Sequence, residues 1–99
     1  MSDDVIETSG PLVKWSGDKA SWYCVVLAED VVGEIHYLAM GRTRGFGSIR
    51  VRATIGATTW GTSIFPDKST GGFVLPVKAA VRSAETMREG DIIAVTLQI

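Results

Sequence analysis

The predicted order of elements repeats once along the chain, and this repetition constrains the fold more than any single motif. Hydrophobic periodicity and turn residues predict strand, strand, helix, strand in each half. The halves open at Leu12 and Thr58, and their helices begin near residues 29 and 77, an offset of about 46–50 residues. Chance similarity is the alternative, because few residues are identical between the halves. Two such halves predict one barrel with a helix capping each end, and closure removes exposed sheet edges.

Strand patterns are clearest between residues 49 and 65. Apolar residues alternate with polar ones over 49–55, which is the period of a strand with one buried face. The β-branched and aromatic stretch 58–65 follows as its hairpin partner. Residues 12–16 and 21–27 flank the turn Gly17-Asp18-Lys19 in the same way. The sequence therefore predicts one hairpin at the start of the first half and a second hairpin that joins the two halves.

Helical periodicity occurs twice. Apolar residues at 3.6-residue spacing predict a first helix over 29–39, with Glu29 and Asp30 in its first turn, where acids are favoured. Pro76 is predicted to open the second helix, because its missing N–H costs nothing in the first turn. The expected core-facing residues of that helix are Val77, Ala80, Val81, Ala84 and Met87. A final strand is predicted over 92–99.

The whole chain is expected to form one domain with a short tail. Residues 1–10 are polar and acidic and are predicted to be a flexible N-terminal tail, and residues 11–99 a single β-barrel domain. A chain of 99 residues, 45% of them hydrophobic, can bury one modest core. We therefore expect a mainly β fold: a small closed barrel of about six strands, built from pseudo-duplicated ββαβ halves, with two short capping helices.

Charge and cysteine usage exclude several classes of protein. The formal net charge is −1, so no global field favours nucleic acid or a membrane. No apolar run approaches the ~20 residues that span a bilayer, and the acidic N-terminus lacks the apolar stretch of a signal peptide. Cys24 is the only cysteine and lies in an apolar run, so we expect a buried thiol. These features predict a cytoplasmic protein.

Three segments keep the order found in a known family. They are Arg44-Gly45-Phe46-Gly47-Ser48-Ile49-Arg50-Val51, Thr59-Trp60-Gly61-Thr62-Ser63-Ile64-Phe65-Pro66, and Leu75-Pro76-Val77-Lys78 with Arg82 and Gly90-Asp91. Over roughly residues 11–98 the chain resembles the DUF1905 family, small prokaryotic domains of unknown function. The resemblance implies a small closed barrel of the double-split type with helical caps. It implies no activity and no catalytic residue.

A weaker resemblance concerns the second half. The run Val74-Leu75-Pro76-Val77-Lys78-Ala79-Ala80-Val81-Arg82, followed by Gly90-Asp91, is similar to the strand–proline–helix–Gly-Asp–strand signature of swapped-hairpin transcription regulators and antitoxins. Those proteins assemble one barrel from two chains and bind DNA. The resemblance implies a fold, and a fold alone does not give a function.

No pattern of residues predicts catalysis. His36 is the only histidine, and the sequence has no Gly-x-Ser-x-Gly elbow, no HExxH and no CxxC pair. Asp67 and Asp91 lie in predicted turns, where aspartate usually bonds local backbone N–H groups. The Gly45-Phe46-Gly47-Ser48 turn lacks the P-loop lysine spacing and precedes a strand rather than a helix. We therefore expect no enzyme, no catalytic residue, no metal and no cofactor.

Positive charge is concentrated in two places. Residues 42–52 carry four arginines and no acid. Lys78 and Arg82 are four residues apart on the second helix, where like charges repel by a few tenths of a kcal/mol, and Glu85 is placed to compensate Arg82. The candidate ligand-binding residues are Arg44, Ser48, Arg50, Arg52, Trp60, Lys78 and Arg82. A solvated, partly paired polar face is the alternative.

All three tryptophans, Trp15, Trp22 and Trp60, fall in predicted strands. Aromatic residues in a small barrel usually fill the core, so we expect two of them inside and one at the barrel mouth, where barrels bind ligands. Cross-strand pairing is expected to bring Trp60 near Arg50 or Arg52. An arginine over an indole ring gains roughly 0.5–2 kcal/mol.

The leading functional hypothesis is a non-catalytic binding or interaction module. Its cationic patch would take an anionic small molecule or a protein partner. A nucleic-acid-binding barrel is the first alternative, and the acidic isoelectric point of about 5.7 counts against it. An enzyme with an unrecognised site is the second. We expect no membrane partner and a monomer or weak dimer.

Overall fold

Six antiparallel strands form a closed barrel in the computed structural model, which describes residues 5–16, 21–40 and 47–99. The strands are β1 (Val5–Ser16), β2 (Ser21–Val26), β3 (Ile49–Ile55), β4 (Thr58–Asp67), β5 (Gly72–Pro76) and β6 (Ile92–Gln98). The helices are α1 (Val32–Leu38), preceded by a 3-10 turn at Glu29–Val31, and α2 (Ala79–Ala84). The predicted turn Gly17-Asp18-Lys19 lies outside the described residues, as do Gly45 and Phe46 of the second predicted glycine turn. The mainly β closed barrel with two short helices is confirmed.

The order of strands around the barrel is β1-β2-β5-β4-β3-β6. Exchanging the first half (β1, β2, α1, β3) with the second (β4, β5, α2, β6) preserves every pair of neighbouring strands. The pairs β2-β5 and β3-β6 map onto themselves, and the other four pairs map onto one another. Two backbone hydrogen bonds follow this pseudo-twofold relation. The N–H of Leu27 donates to the carbonyl oxygen of Phe73 at 3.0 Å, and the N–H of Val77 donates to that of Tyr23 at 2.8 Å. The two donors, Leu27 and Val77, are 50 residues apart, and so are the two acceptors, Tyr23 and Phe73. The ββαβ repetition is therefore present in the topology.

Alternating residues of the strands fill the barrel interior. The four alternate apolar residues of β3 are buried, while Arg50 and Arg52 are exposed. The helices add Ile35 from α1 and Val81 from α2 to the same core. The largest fully buried side chains come from both halves: Ile6, Leu12, Ile35, Ile64, Leu75, Leu97, Val25 and Val81. Both halves therefore share one interior, which burial of apolar surface stabilises.

The expected flexible tail at residues 1–10 is wrong for residues 5–10. These residues belong to β1 and pair with β6 from Val5↔Gln98 to Gly10↔Ile93. Ile6 is only 1% exposed, because it alternates with the exposed Val5 and Glu7 and so points into the barrel. The acidic residues around it obscured this alternation. Residues 1–4 lie outside the described residues.

The predicted start of the second helix is also wrong. Pro76 is the last residue of β5, opposite Cys24, and α2 begins at Ala79 with Lys78 as its N-cap. A proline is tolerated at a strand end, where a donor is not needed. Val77 and Val81 are buried, but Ala80 and Ala84 are exposed, so the expected apolar stripe is shorter than predicted. Within the described part of the chain, no helix has the length and apolar character needed to cross a membrane.

Candidate functional site

A groove of about 380 Å³ lies between α2, the first residues of β2 and the middle of β4. Its lining residues are Ser21, Trp22, Tyr23, Trp60, Gly61, Thr62, Pro76, Val77, Lys78, Ala79 and Arg82. The charged members of this set are Lys78 and Arg82, and both are cationic. The groove therefore combines aromatic walls with positive charge.

The Arg82 side chain is held in one orientation by two contacts. Its guanidinium carbon lies 3.7 Å from the centre of the Tyr23 ring, which is a cation–π contact. Its Nε–H donates to the carbonyl oxygen of Val77 at 3.3 Å. A guanidinium carries five N–H donors, so the four on Nη1 and Nη2 have no acceptor among the described residues. The fork that suits a carboxylate or phosphate is thus held in one orientation, with no described acceptor on its Nη groups.

Glu85, the acid expected to compensate Arg82, is engaged elsewhere. Its Oε2 accepts a hydrogen bond from Thr58 Oγ1 at 2.6 Å. The carboxylate also packs against Gly56, whose φ of +58° belongs to the turn between β3 and β4 and whose missing side chain leaves the necessary space. Among the described residues, no carboxylate forms an ion pair with Arg82. The expected Arg82–Glu85 compensation is wrong, because Glu85 joins α2 to this turn.

The tryptophans are distributed differently from the prediction. Trp60 is buried at 9% exposure, but Trp15 and Trp22 are 41% and 55% exposed. Trp15 and Trp22 are direct partners across β1 and β2. The buried partners Leu12 and Val25 lie three residues away on each strand, and an odd spacing puts side chains on opposite faces. One tryptophan, not two, therefore belongs to the core, and Trp22 lines the groove.

The register of β3 and β4 separates Trp60 from the arginines of β3. Trp60 opposes Ala53 and points inward, whereas Arg52 opposes Gly61 on the outer face. Residues directly opposite each other share a face, so the expected stacking of Trp60 on Arg50 or Arg52 is wrong. Arg50 instead reaches across to Gly61, where an added methyl group would lie 3.3 Å from its Nη2. Since Gly61 lines the groove, Arg50 lies beside the groove.

The structure therefore places only some of the seven predicted candidate residues at the groove. Trp60, Lys78 and Arg82 line the groove together. Ser48 is buried next to β3 and does not line it, and Arg44 lies outside the described residues.

Trp22 and Tyr23 were not among the predicted candidates, although both line the groove. The register of the first hairpin, counted from its turn, is the signal that would have placed Trp22 on the outer face.

A second groove of about 440 Å³ lies beside α1 at the pseudo-twofold-related position. The His36 ring lies 5.3 Å from the Phe73 ring, tilted by 58°. Phe73 is the equivalent of Tyr23, and His36 takes the place of Arg82. The described lining residues of this groove include no lysine or arginine. Among the described residues, the cations therefore line the groove on the α2 side.

Three further side chains with reactive groups, Asp67, Asp91 and Cys24, are bonded to local backbone or buried. Asp67 Oδ1 accepts hydrogen bonds from the hydroxyl of Ser69 at 2.7 Å and from its N–H at 3.0 Å, and these bonds lower the pKa of Asp67. Asp91 accepts the N–H of Arg88 at 2.9 Å. Burial raises the pKa of the Cys24 thiol. In the described segments, no three His, Cys, Asp or Glu side chains are grouped to hold a metal ion.

Fold and groove together define a class: a small six-stranded barrel of two ββαβ halves, with a cationic, aromatic groove beside one helix. A family model described as "Domain of unknown function (DUF1905)" matches residues 9–97. The chain belongs to the DUF1905 family, as the resemblance predicted. A comparison with curated proteins found no match.

Proposed function

We propose that this protein is a non-catalytic binding module whose groove beside α2 takes an anionic small molecule. The observation that carries the proposal is the fixed guanidinium of Arg82, which is stacked on Tyr23 and bonded to Val77, while no described residue accepts a hydrogen bond from its Nη groups. Lys78 adds a second positive charge in the same groove. The arrangement fits a carboxylate or phosphate bound by two parallel N–H donors.

The energetics of Arg82 support this function. The side chain is half-buried, so its charge has lost part of its hydration, and Glu85 does not neutralise it. A partly desolvated cation without a counter-charge gains more from an anion than a fully solvated one does. The orientation of the fork is already fixed, which reduces the entropy lost on binding.

We further propose that the protein is cytoplasmic and acts as a monomer or weak dimer. Neither nucleic acid nor a membrane is proposed as its partner. The free, buried thiol of Cys24 supports a reducing compartment. The net charge of −1 is unfavourable for a long polyanion.

Isothermal titration with inorganic phosphate and with benzoate tests the proposal. We expect saturable binding of at least one of them, weakened about tenfold or more in Arg82→Lys, which keeps the charge and loses the fork. Arg88→Lys, on an exposed arginine outside the groove, is the matched control and should bind like the wild type. Absence of saturable binding, or equal effects of the two variants, would overturn the proposal.

A further inference from the structure

We propose that the ligand of this groove is a mononucleotide, with its phosphate on Arg82 and Lys78 and its base on Trp22. This inference rests on the proposed anion-binding function and adds the chemical class of the ligand. Three properties of the groove carry it: the number of charges, the one open aromatic face, and the size.

The charge of the groove favours a phosphate monoester over a carboxylate. Lys78 and Arg82 together contribute two positive charges, and the described lining residues include no acid. A phosphate monoester carries about −1.5 to −2 at neutral pH and offers three acceptor oxygens, whereas a carboxylate carries about −1. The monoester satisfies both cations and uses both Nη groups of Arg82.

The aromatic residues of the groove leave one ring open to a ligand. The Tyr23 ring is covered by Arg82 at 3.7 Å, and Lys14 lies 6.0 Å from its centre. Trp60 is buried in the core. Trp22 is 55% exposed and lines the groove, so its indole offers a flat apolar surface next to the two cations. Nucleobases stack on such surfaces without needing a specific hydrogen-bonding pattern.

The size and polarity of the groove favour a single nucleotide. A volume of about 380 Å³ is at the small end of the range for ligand pockets. The hydroxyl-bearing residues Ser21 and Thr62 belong to the same lining and are suited to the ribose and the base edge. The net charge of −1 disfavours a strand whose many phosphates need many cations.

The test is calorimetric titration of the full chain with AMP, ribose 5-phosphate and adenosine, followed by the same titrations on two variants. AMP should bind at least tenfold more tightly than ribose 5-phosphate or adenosine. Trp22→Ala should weaken AMP binding by roughly 5- to 150-fold, the range for losing one stacked base, and leave ribose 5-phosphate unchanged. Trp15→Ala removes the exposed cross-strand partner, which is outside the groove lining, and should bind AMP like the wild type.

Trp22→Phe keeps a smaller flat ring and should give an intermediate affinity, which replaces the alanine variant if that variant does not fold. Equal binding of AMP and ribose 5-phosphate, or equal losses in the two alanine variants, overturns the nucleotide and leaves the anion site standing. Absence of binding by any phosphate compound overturns the nucleotide, and absence of benzoate binding as well overturns the anion site. A single-stranded DNA octamer that binds more tightly than AMP overturns the mononucleotide in favour of a strand.

Discussion

The guanidinium of Arg82 lies 3.7 Å from the centre of the Tyr23 ring, although Arg82 belongs to the second half of the chain and Tyr23 to the first. The related contact joins His36 of the first half to Phe73 of the second, with ring centres 5.3 Å apart. Each helix thus packs a side chain on an aromatic residue of the other half. Only the α2 contact carries a permanent cation, so the fold is pseudo-symmetric and its chemistry is not.

Arg82→Ala should lower the free energy of unfolding by about 1–2 kcal/mol, because it removes the cation–π contact with Tyr23 and the hydrogen bond to Val77. Urea denaturation measures the change. Arg88→Ala, at an exposed position, should change stability by no more than about 0.5 kcal/mol. A loss for Arg82→Ala no larger than that of its control would contradict the account of this contact.

The Thr58–Glu85 hydrogen bond should be both stabilising and functional. Thr58→Val should lower the free energy of unfolding by about 1–2 kcal/mol, because the part-buried carboxylate loses its 2.6 Å donor. It should also weaken anion binding, because the released Glu85 lies three residues from Arg82 and is then free to pair with it.

A double-mutant cycle with Glu85→Gln checks this second effect. Anion affinity should be restored in the Thr58→Val/Glu85→Gln double variant, since the competing charge is gone. Persistent weak binding in the double variant would show that Glu85 does not compete for Arg82.

Much of the barrel could be predicted from the sequence because the signals were local. Strict alternation over 49–55 and the repeated order of elements depend only on neighbouring residues and turn chemistry. The predicted start of α2 at Pro76 failed for a different reason. Proline suits either a helix start or a strand end, and Pro76 pairs with Cys24 as the last residue of β5. Ile6 was missed because one apolar residue among acids reveals no period.

The two glycines Gly10 and Gly33 should respond in opposite ways to alanine. A side chain at Gly10 would collide with the backbone carbonyl of Val26, so Gly10→Ala should cost roughly 3 kcal/mol or more. At Gly33, inside α1, no atom lies within 4 Å of an added Cβ, and Gly33→Ala should stabilise by about 0.5–1 kcal/mol. Thermal unfolding of both variants measures the difference. A tolerated Gly10→Ala would contradict the close approach of β1 and β2.

The groove was only partly predictable. Lys78 and Arg82 follow from helical spacing, but their aromatic neighbours Trp22 and Tyr23 come from the first hairpin, far away in the sequence. The pairing of β2 with β5 brings the two halves together there. Likewise, whether Glu85 pairs with Arg82 or with Thr58 depends on where the β3–β4 turn lies against α2. Helical spacing gives no information about that position.

Asp67 should contribute to the acid sensitivity of the fold. The hydroxyl and N–H of Ser69 lower its pKa below the ordinary 3.8. A carboxyl whose folded-state pKa is depressed stabilises the fold above its unfolded pKa and loses that contribution as pH falls through the folded pKa. Wild type should therefore be more stable than Asp67→Asn near neutral pH, and the difference should vanish in strong acid. Urea unfolding between about pH 6 and pH 2 measures it. A difference that is constant over this range would contradict the argument.

The most direct measurement is an NMR titration of the arginine side chains with inorganic phosphate. We predict saturable shifts of the Arg82 Nε–H and Nη signals and unchanged signals of Arg88, because Arg82 is among the lining residues of the groove and Arg88 is not. Shifts that are absent from Arg82, or that are equally large at Arg88 and grow linearly with phosphate, would contradict an anion site at this position.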